Sequence, residues 1–204
     1  MAQFPDLYHA SACGWLDQSG LKTPPDGTGE NPKSHSFVFL TTNIIPAFGR
    51  YAQNSAEKSQ ARLDAGEITK ATFTYNGKYY PPKKHTYRLD AGHYKVIDWK
   101  AQKLSKEDWQ ALKKAIFSIH IRYWDIHGYA CWRLQHLMGM KTWQDWVRHA
   151  GWWAKVTAPL DQVCAVLESA GYDLVAHIET QPDWEHTWAL LVGNGKTYPC
   201  TKLA

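Results

Sequence analysis

Cysteine is scarce and scattered. Cys13, Cys131, Cys164 and Cys200 form no C-x-x-C pair, which excludes a zinc ribbon or a thioredoxin-type couple and favours free thiols in a reducing, cytoplasmic setting. Metal-ligand spacing is missing as well. His120 and His127 lie seven apart, His136 and His149 thirteen apart, and no H-x-x-x-H or H-E-x-x-H occurs. The histidines therefore read as helix-face or core residues, and no metal is expected. Neither G-x-x-x-x-G-K-[ST] nor G-x-G-x-x-G is present, so no phosphate loop holds a nucleotide. No run of 18 apolar residues exists to span a membrane. The start, "MAQFPDLYHA", lacks the charged and apolar regions of a secretory leader.

What is abundant is tryptophan and, locally, positive charge. Ten of the 11 Trp lie from Trp99 onward and only Trp15 lies before; a Trp-rich core and an exposed stacking surface both accommodate that. Residues 50–106 hold 12 Lys/Arg against 5 Asp/Glu, a local +7, and the remainder carries 11 against 14, or −3. With Tyr75, Tyr79, Tyr80, Tyr87 and Tyr94 interleaved, the basic middle suits either a polyanion or a solvated face beside a Tyr-rich sheet.

Hydrophobic patterning predicts an α+β chain. A strand is expected over 4–9, and a short helix over 12–19 with Ser11 at its N-cap and Gly20 after it. The Pro/Gly-rich stretch "KTPPDGTGENPKSHS" (22–36) is a long loop. "FVFLTT" (37–42) is a strand, and 45–65, with Pro46 in its first turn and Gly66 beyond its end, is a helix. Strands follow at 70–76, 85–90 and 93–98, with a turn at "NGKYYPP". Ser105 and Asp108 form a capping box that opens a largely helical insertion over about 105–170, closed by Gly171. "YDLVAHI", "HTWALLV" and "KTYPC" finish the chain as strands. The whole, 1–204, reads as one domain.

By itself His9, at the end of the run Phe4–Tyr8, reads as a satisfied strand-end histidine rather than as part of a site. Its neighbours in sequence order give it a context. "LYHAS", then "FVFLTTN", then "AFGRYA", and finally "LESAGYDLVAHIETQPDWEHTWALLVGN" resemble the ADP-ribosyltransferase superfamily, in the branch of poly-ADP-ribose polymerases and bacterial and phage mono-ADP-ribosyltransferases. The resemblance covers about 4–52 and 165–195. It implies a split two-sheet core and NAD as co-substrate without metal. By that resemblance His9 bonds the adenine-side ribose, Ala10 and Ser11 clamp the nicotinamide amide, and Phe39 and Tyr51 flank the ring, with Thr41 on the same strand. Glu185 is the implied catalytic carboxylate, with Glu179 and Trp184 in the acceptor-recognising loop and Glu179 in reserve for catalysis. A carboxylate bonded to the ribose 2′-OH stabilises the oxocarbenium-like transition state more than the ground state.

The implied function is transfer of ADP-ribose from NAD to a macromolecular acceptor, either a nucleic acid (RNA or DNA) or a protein. The setting would be a toxin or phage–host conflict protein with an antitoxin or immunity protein as partner. Two other readings stand beside it. "GYACWRLQHLMG" puts Cys131 near a helix start and "EHTWALLVGNGKTY" puts His186 at a strand start, a pairing similar to papain-like and NlpC-type cysteine hydrolases. Ala10 and Phe39 stand where the transferase family has Gly and Tyr, so a non-enzymatic inhibitor or binding protein on the same fold is the third reading.

Overall fold

The computed structural model describes residues 5–22, 37–98, 100–101, 104–115, 144, 166–177, 187–193 and 195–203. Strands β1 (Tyr8–Ser11), β2 (Phe37–Thr41), β3 (Thr74–Tyr75), β4 (Lys78–Tyr79), β5 (His85–Leu89), β6 (Val96–Asp98), β7 (Leu174–Ala176), β8 (Thr187–Leu191) and β9 (Cys200–Lys202) make up two sheets. Seven form a mixed sheet in the order β6-β7-β8-β2-β1-β5-β9, and β3-β4 is a separate ribbon. Among the described strands only β6 and β7 pair in parallel. A parallel pair requires a crossover connection, and the described residues between β6 and β7 include α4 (residues 106–115) and α5 (residues 166–169).

The seven strands hydrogen-bond as one sheet rather than as two packed layers. The ladder is nonetheless pinched in the middle. Every residue of β2 from Phe37 to Thr41 pairs with β8, and every residue of β1 pairs with β5. Between β1 and β2 the register has one pair, Tyr8 with Thr41.

Strand alternation sorts the apolar side chains onto two faces. One core gathers Phe37, Ile97, Val175, Ala189 and Leu191 beneath Leu112 and Ala115 of α4 and Val166 and Leu167 of α5, with Phe39 at its margin. The other gathers Leu7, Val38, Leu40, Tyr87, Leu89, Leu174 and Leu190 with Trp15, Leu16, Phe73 and Tyr198. Phe73, Leu7, Leu21 and Leu190 are fully buried, each contributing roughly 1.5–3 kcal/mol of apolar transfer. The described tryptophans are core residues: Trp15 and Trp188 are buried, and Trp109 packs on the first core.

Several boundaries differ from the sequence expectation. β1 begins at Tyr8 rather than residue 4, although Leu89 N–H still bonds Leu7 O. The helix expected over 12–19 shrinks to one turn, α1 (Leu16–Ser19). Trp15 turns into the core against Phe73 and Tyr75 instead, and Ser11 Oγ accepts from Cys13 N–H rather than capping the helix. The stretch 70–76 begins as a 3-10 turn (Lys70–Phe73) before β3. Ile44–Pro46 (α2) passes through a π-helical turn (Ala47–Tyr51) into α3 (Ala52–Asp64), with Asn43 Oδ1 accepting from Ile45 N–H. Gly66 follows the helix at φ +73°. Ser105 caps α4 as expected: Asp108 N–H bonds Ser105 Oγ at 3.0 Å, and Ser105 Oγ in turn donates to Asp108 Oδ2 at 2.9 Å. No helix among the described residues is long and apolar enough to cross a membrane.

Candidate functional site in the opening between two strands

The site is built from hydrogen-bonding parity. In an antiparallel ladder alternate residues turn their N–H and C=O to opposite neighbours. Leu89 N–H bonds Leu7 O, so the odd residues of β1 face β5, and Tyr8 and Ala10 face β2. On β2 the pairing of Thr41 with Tyr8 turns Thr41, Phe39 and Phe37 toward β1. A closed ladder would therefore join Ala10 to Phe39. That pair is absent from the register. In its place His9 Nδ1 lies 2.9 Å from Phe39 O.

This bond fixes the chemistry of the ring. A carbonyl only accepts, so Nδ1 carries the proton and Nε2 presents a lone pair. Burial pushes the His9 pKa below its ordinary value, and the bond to the Phe39 carbonyl offsets part of that shift. A neutral imidazole with Nε2 as acceptor is suited to a ligand hydroxyl. Ala10, meanwhile, turns one N–H and one C=O into the opening. That donor and acceptor, on one residue, complement a primary carboxamide.

The other sequence candidates fall around this opening in different ways. Alternation puts the side chains of Ala10, Phe39 and Thr41 on one sheet face and those of His9 and Ser11 on the other. His9 meets Phe39 through the in-plane carbonyl rather than ring to ring. Ser11 turns its backbone toward His85 of β5 and is buried, so its polar groups are not brought to the opening. The Phe39 ring is half-buried, edge-on to Phe37 with centroids 4.9 Å apart. Thr41 Oγ1 accepts from Asn43 N–H. Tyr51 ends the π-helical turn, which packs beside β1 and β5, and is 40 % exposed. The π-helical turn and α3 pack beside β1, and α4 and α5 cover the Phe37 and Phe39 face of the sheet.

Glu179, Trp184 and Glu185 lie outside the described residues, as do Cys131 and His186 of the hydrolase reading. The strand that follows Glu185 in sequence is described: Thr187, its second residue downstream, pairs with Thr41. Cys13 and Cys200 are buried thiols, each pushed up to about 12 chiefly by burial, and so are poor nucleophiles.

One feature was not foreseen from the sequence. His177, a non-glycine residue at φ +56°, closes β7 with Nδ1 2.9 Å from Asp98 Oδ1 at the end of β6. Unlike Asn76, which an Asn-Gly turn announces, a histidine held at positive φ has no sequence signal. No protein-family model, curated protein or solved structure matches the chain.

Proposed function

We propose that the chain is a mono-ADP-ribosyltransferase that takes NAD as co-substrate and transfers ADP-ribose to a macromolecular acceptor. The observation that carries this reading is the interrupted β1–β2 ladder, with the Phe39 carbonyl held by His9 and the Ala10 peptide turned toward the opening.

In this reading Ala10 N–H donates to the carboxamide oxygen of the nicotinamide, and Ala10 C=O accepts from its NH₂. His9 acts from the other sheet face, holding the Phe39 carbonyl through Nδ1 so that this acceptor is not taken by Ala10. Phe39, half-buried, and Tyr51, 40 % exposed, supply the aromatic surface for the pyridinium ring. Glu185 accepts from the ribose 2′-OH and stabilises the positive charge that grows on the sugar as the bond to nicotinamide breaks. The order of neighbours β8-β2-β1 supports this assignment, because it sets the strand after Glu185 next to the strand of Phe39 and one removed from that of His9. The departures from the family pattern are tolerable chemically: Ala10 uses only backbone groups, and Phe39 keeps a ring face without the hydroxyl.

The test is incubation of the whole protein with adenylate-labelled NAD and cell extract. Wild type transfers label to a macromolecule, and Glu185→Gln lowers the rate at least about 100-fold, the scale of losing a transition-state charge interaction. Equal labelling by wild type and Glu185→Gln refutes the assignment of Glu185. Absence of labelling despite measurable NAD binding replaces the transferase with a binding protein.

A further inference from the structure

Between Ile68 and Leu89 the chain carries Lys70, Lys78, Lys83, Lys84 and Arg88 and no Asp or Glu. The fold places the first two of these at the β3–β4 ribbon and the next two on the wall of a cleft. The Asn76–Gly77 turn, with φ of +49° and +76°, folds β3 onto β4 and presents Lys78 and Tyr79 to solvent. Lys70 Nζ sits 5.6 Å from the Tyr79 ring centroid and Lys78 Nζ 5.1 Å from that of Tyr80. Tyr80 and His85 come together over Gly14, where a Cβ would stand 3.4 Å from Tyr80 Cδ1 and 3.0 Å from His85 Nε2. His85 also lines the cleft, an open one of about 530 Å³ between α3 and β9, together with Gln53, Gln60, Lys83, Lys84 and Lys202. Glu57 is the one carboxylate on its wall, and it already accepts from Gln53 Nε2.

The ammonium groups of Lys83 and Lys84, with that of Lys202 beside them donating to Gly14 O at 3.2 Å, outnumber the one engaged carboxylate and select an anion. The volume matches that of ordinary small-ligand clefts, enough for a nucleotide or two. Ammonium groups beside the exposed Tyr79 ring provide for a chain that carries both phosphate and flat base. An acidic protein would satisfy the lysines and leave that ring unused.

We infer that the surface from Lys70 through the Lys83–Lys84–Lys202 cleft binds single-stranded nucleic acid. The inference rests on the transferase reading only in making that strand the ADP-ribose acceptor.

Binding is measured without NAD, by fluorescence anisotropy of labelled 12-nucleotide DNA and RNA at 50–300 mM salt. The expected log–log salt slope is about −2 to −3, as for three or four phosphates neutralised on a single strand. Lys83→Gln/Lys84→Gln lowers that slope by about 1.4 and weakens binding at least about 10-fold, with an unchanged melting temperature. Arg88→Gln, off this surface, binds as wild type. A duplex of the same length and a polyglutamate of the same charge bind more weakly. No binding, a slope near zero, or polyglutamate bound as tightly as oligonucleotide overturns the inference. Label transfer to protein alone, with oligonucleotide binding intact, removes the acceptor assignment and leaves the surface. Loss of oligonucleotide binding with transfer intact overturns the inference and leaves the transferase reading.

Discussion

His9 Nδ1 lies 2.9 Å from the carbonyl oxygen of Phe39, occupying the acceptor that a closed β1–β2 ladder would offer to Ala10 N–H. A side chain thus satisfies one polar group at the break and leaves a peptide donor and acceptor facing the gap. Backbone groups left without a ladder partner are costly when dry, so the opening has a standing preference for water or for a ligand with amide chemistry.

Ala10→Pro removes the donor with little demand on the rest of the sheet. Proline is tolerated in strands where the N–H is not part of a ladder, and parity turns Ala10 N–H away from β5. The expected result is a Kd for NAD raised about 10- to 100-fold, the scale of leaving one buried acceptor unpaired, with a melting temperature lowered by only a few degrees. Calorimetric titration and thermal melting of the same preparation check both halves. A collapse in melting temperature would show that Ala10 N–H belongs to the protein's own hydrogen bonding.

Acid should weaken the site through His9. Its pKa is depressed in the folded state by burial, against about 6.5 when unfolded. Above about pH 6.5 the ring is neutral in both states and costs nothing. As pH falls through that value the unfolded chain takes up a proton that the folded chain does not, so stability declines until the lower folded pKa is reached. Melting temperature from pH 8 to 5 should fall less steeply for His9→Gln than for wild type. Parallel curves would mean that His9 does not titrate differently on folding.

Gly20 is held by two constraints, Gly66 by one. Gly20 has φ +75°, and a Cβ there would stand 2.9 Å from Tyr198 O, across the bridge in which Leu21 N–H bonds Tyr198 O at 2.7 Å. Gly66 has φ +73° with nothing within 4 Å. Gly66→Ala should cost about 1 kcal/mol and Gly20→Ala about 2–4 kcal/mol, since backbone must also move. Chemical denaturation of the two variants separates these values; equal costs would deny the close approach.

The parts of the fold legible in the sequence are those set by local chemistry. Asn76–Gly77 takes the positive φ pair a two-residue hairpin needs. Pro46 and Gly66 bracket the long helix, and Ser105 with Asp108 opens another. Where tertiary packing outbids local preference, the sequence misleads. Trp15 joins the core and truncates α1, and Lys70–Phe73 coils to bury Phe73. The split two-sheet expectation became one sheet joined at a single pair, because pairing register between residues some 30 positions apart is written nowhere in local pattern. For the same reason the sequence offered His9, Ala10 and Ser11 as a run, whereas strand parity separates Ala10, facing the opening, from Ser11, facing β5.

The central claim is that the β1–β2 opening reads a carboxamide, and calorimetric titration with NAD and with its deamido analogue tests it most directly. The analogue presents a carboxylate where NAD presents CONH₂, so Ala10 C=O loses a donor and faces a negative charge. NAD should bind at least about 30-fold more tightly than the deamido form, corresponding to about 2 kcal/mol. Equal affinity for the two, or no affinity for either, would contradict the account.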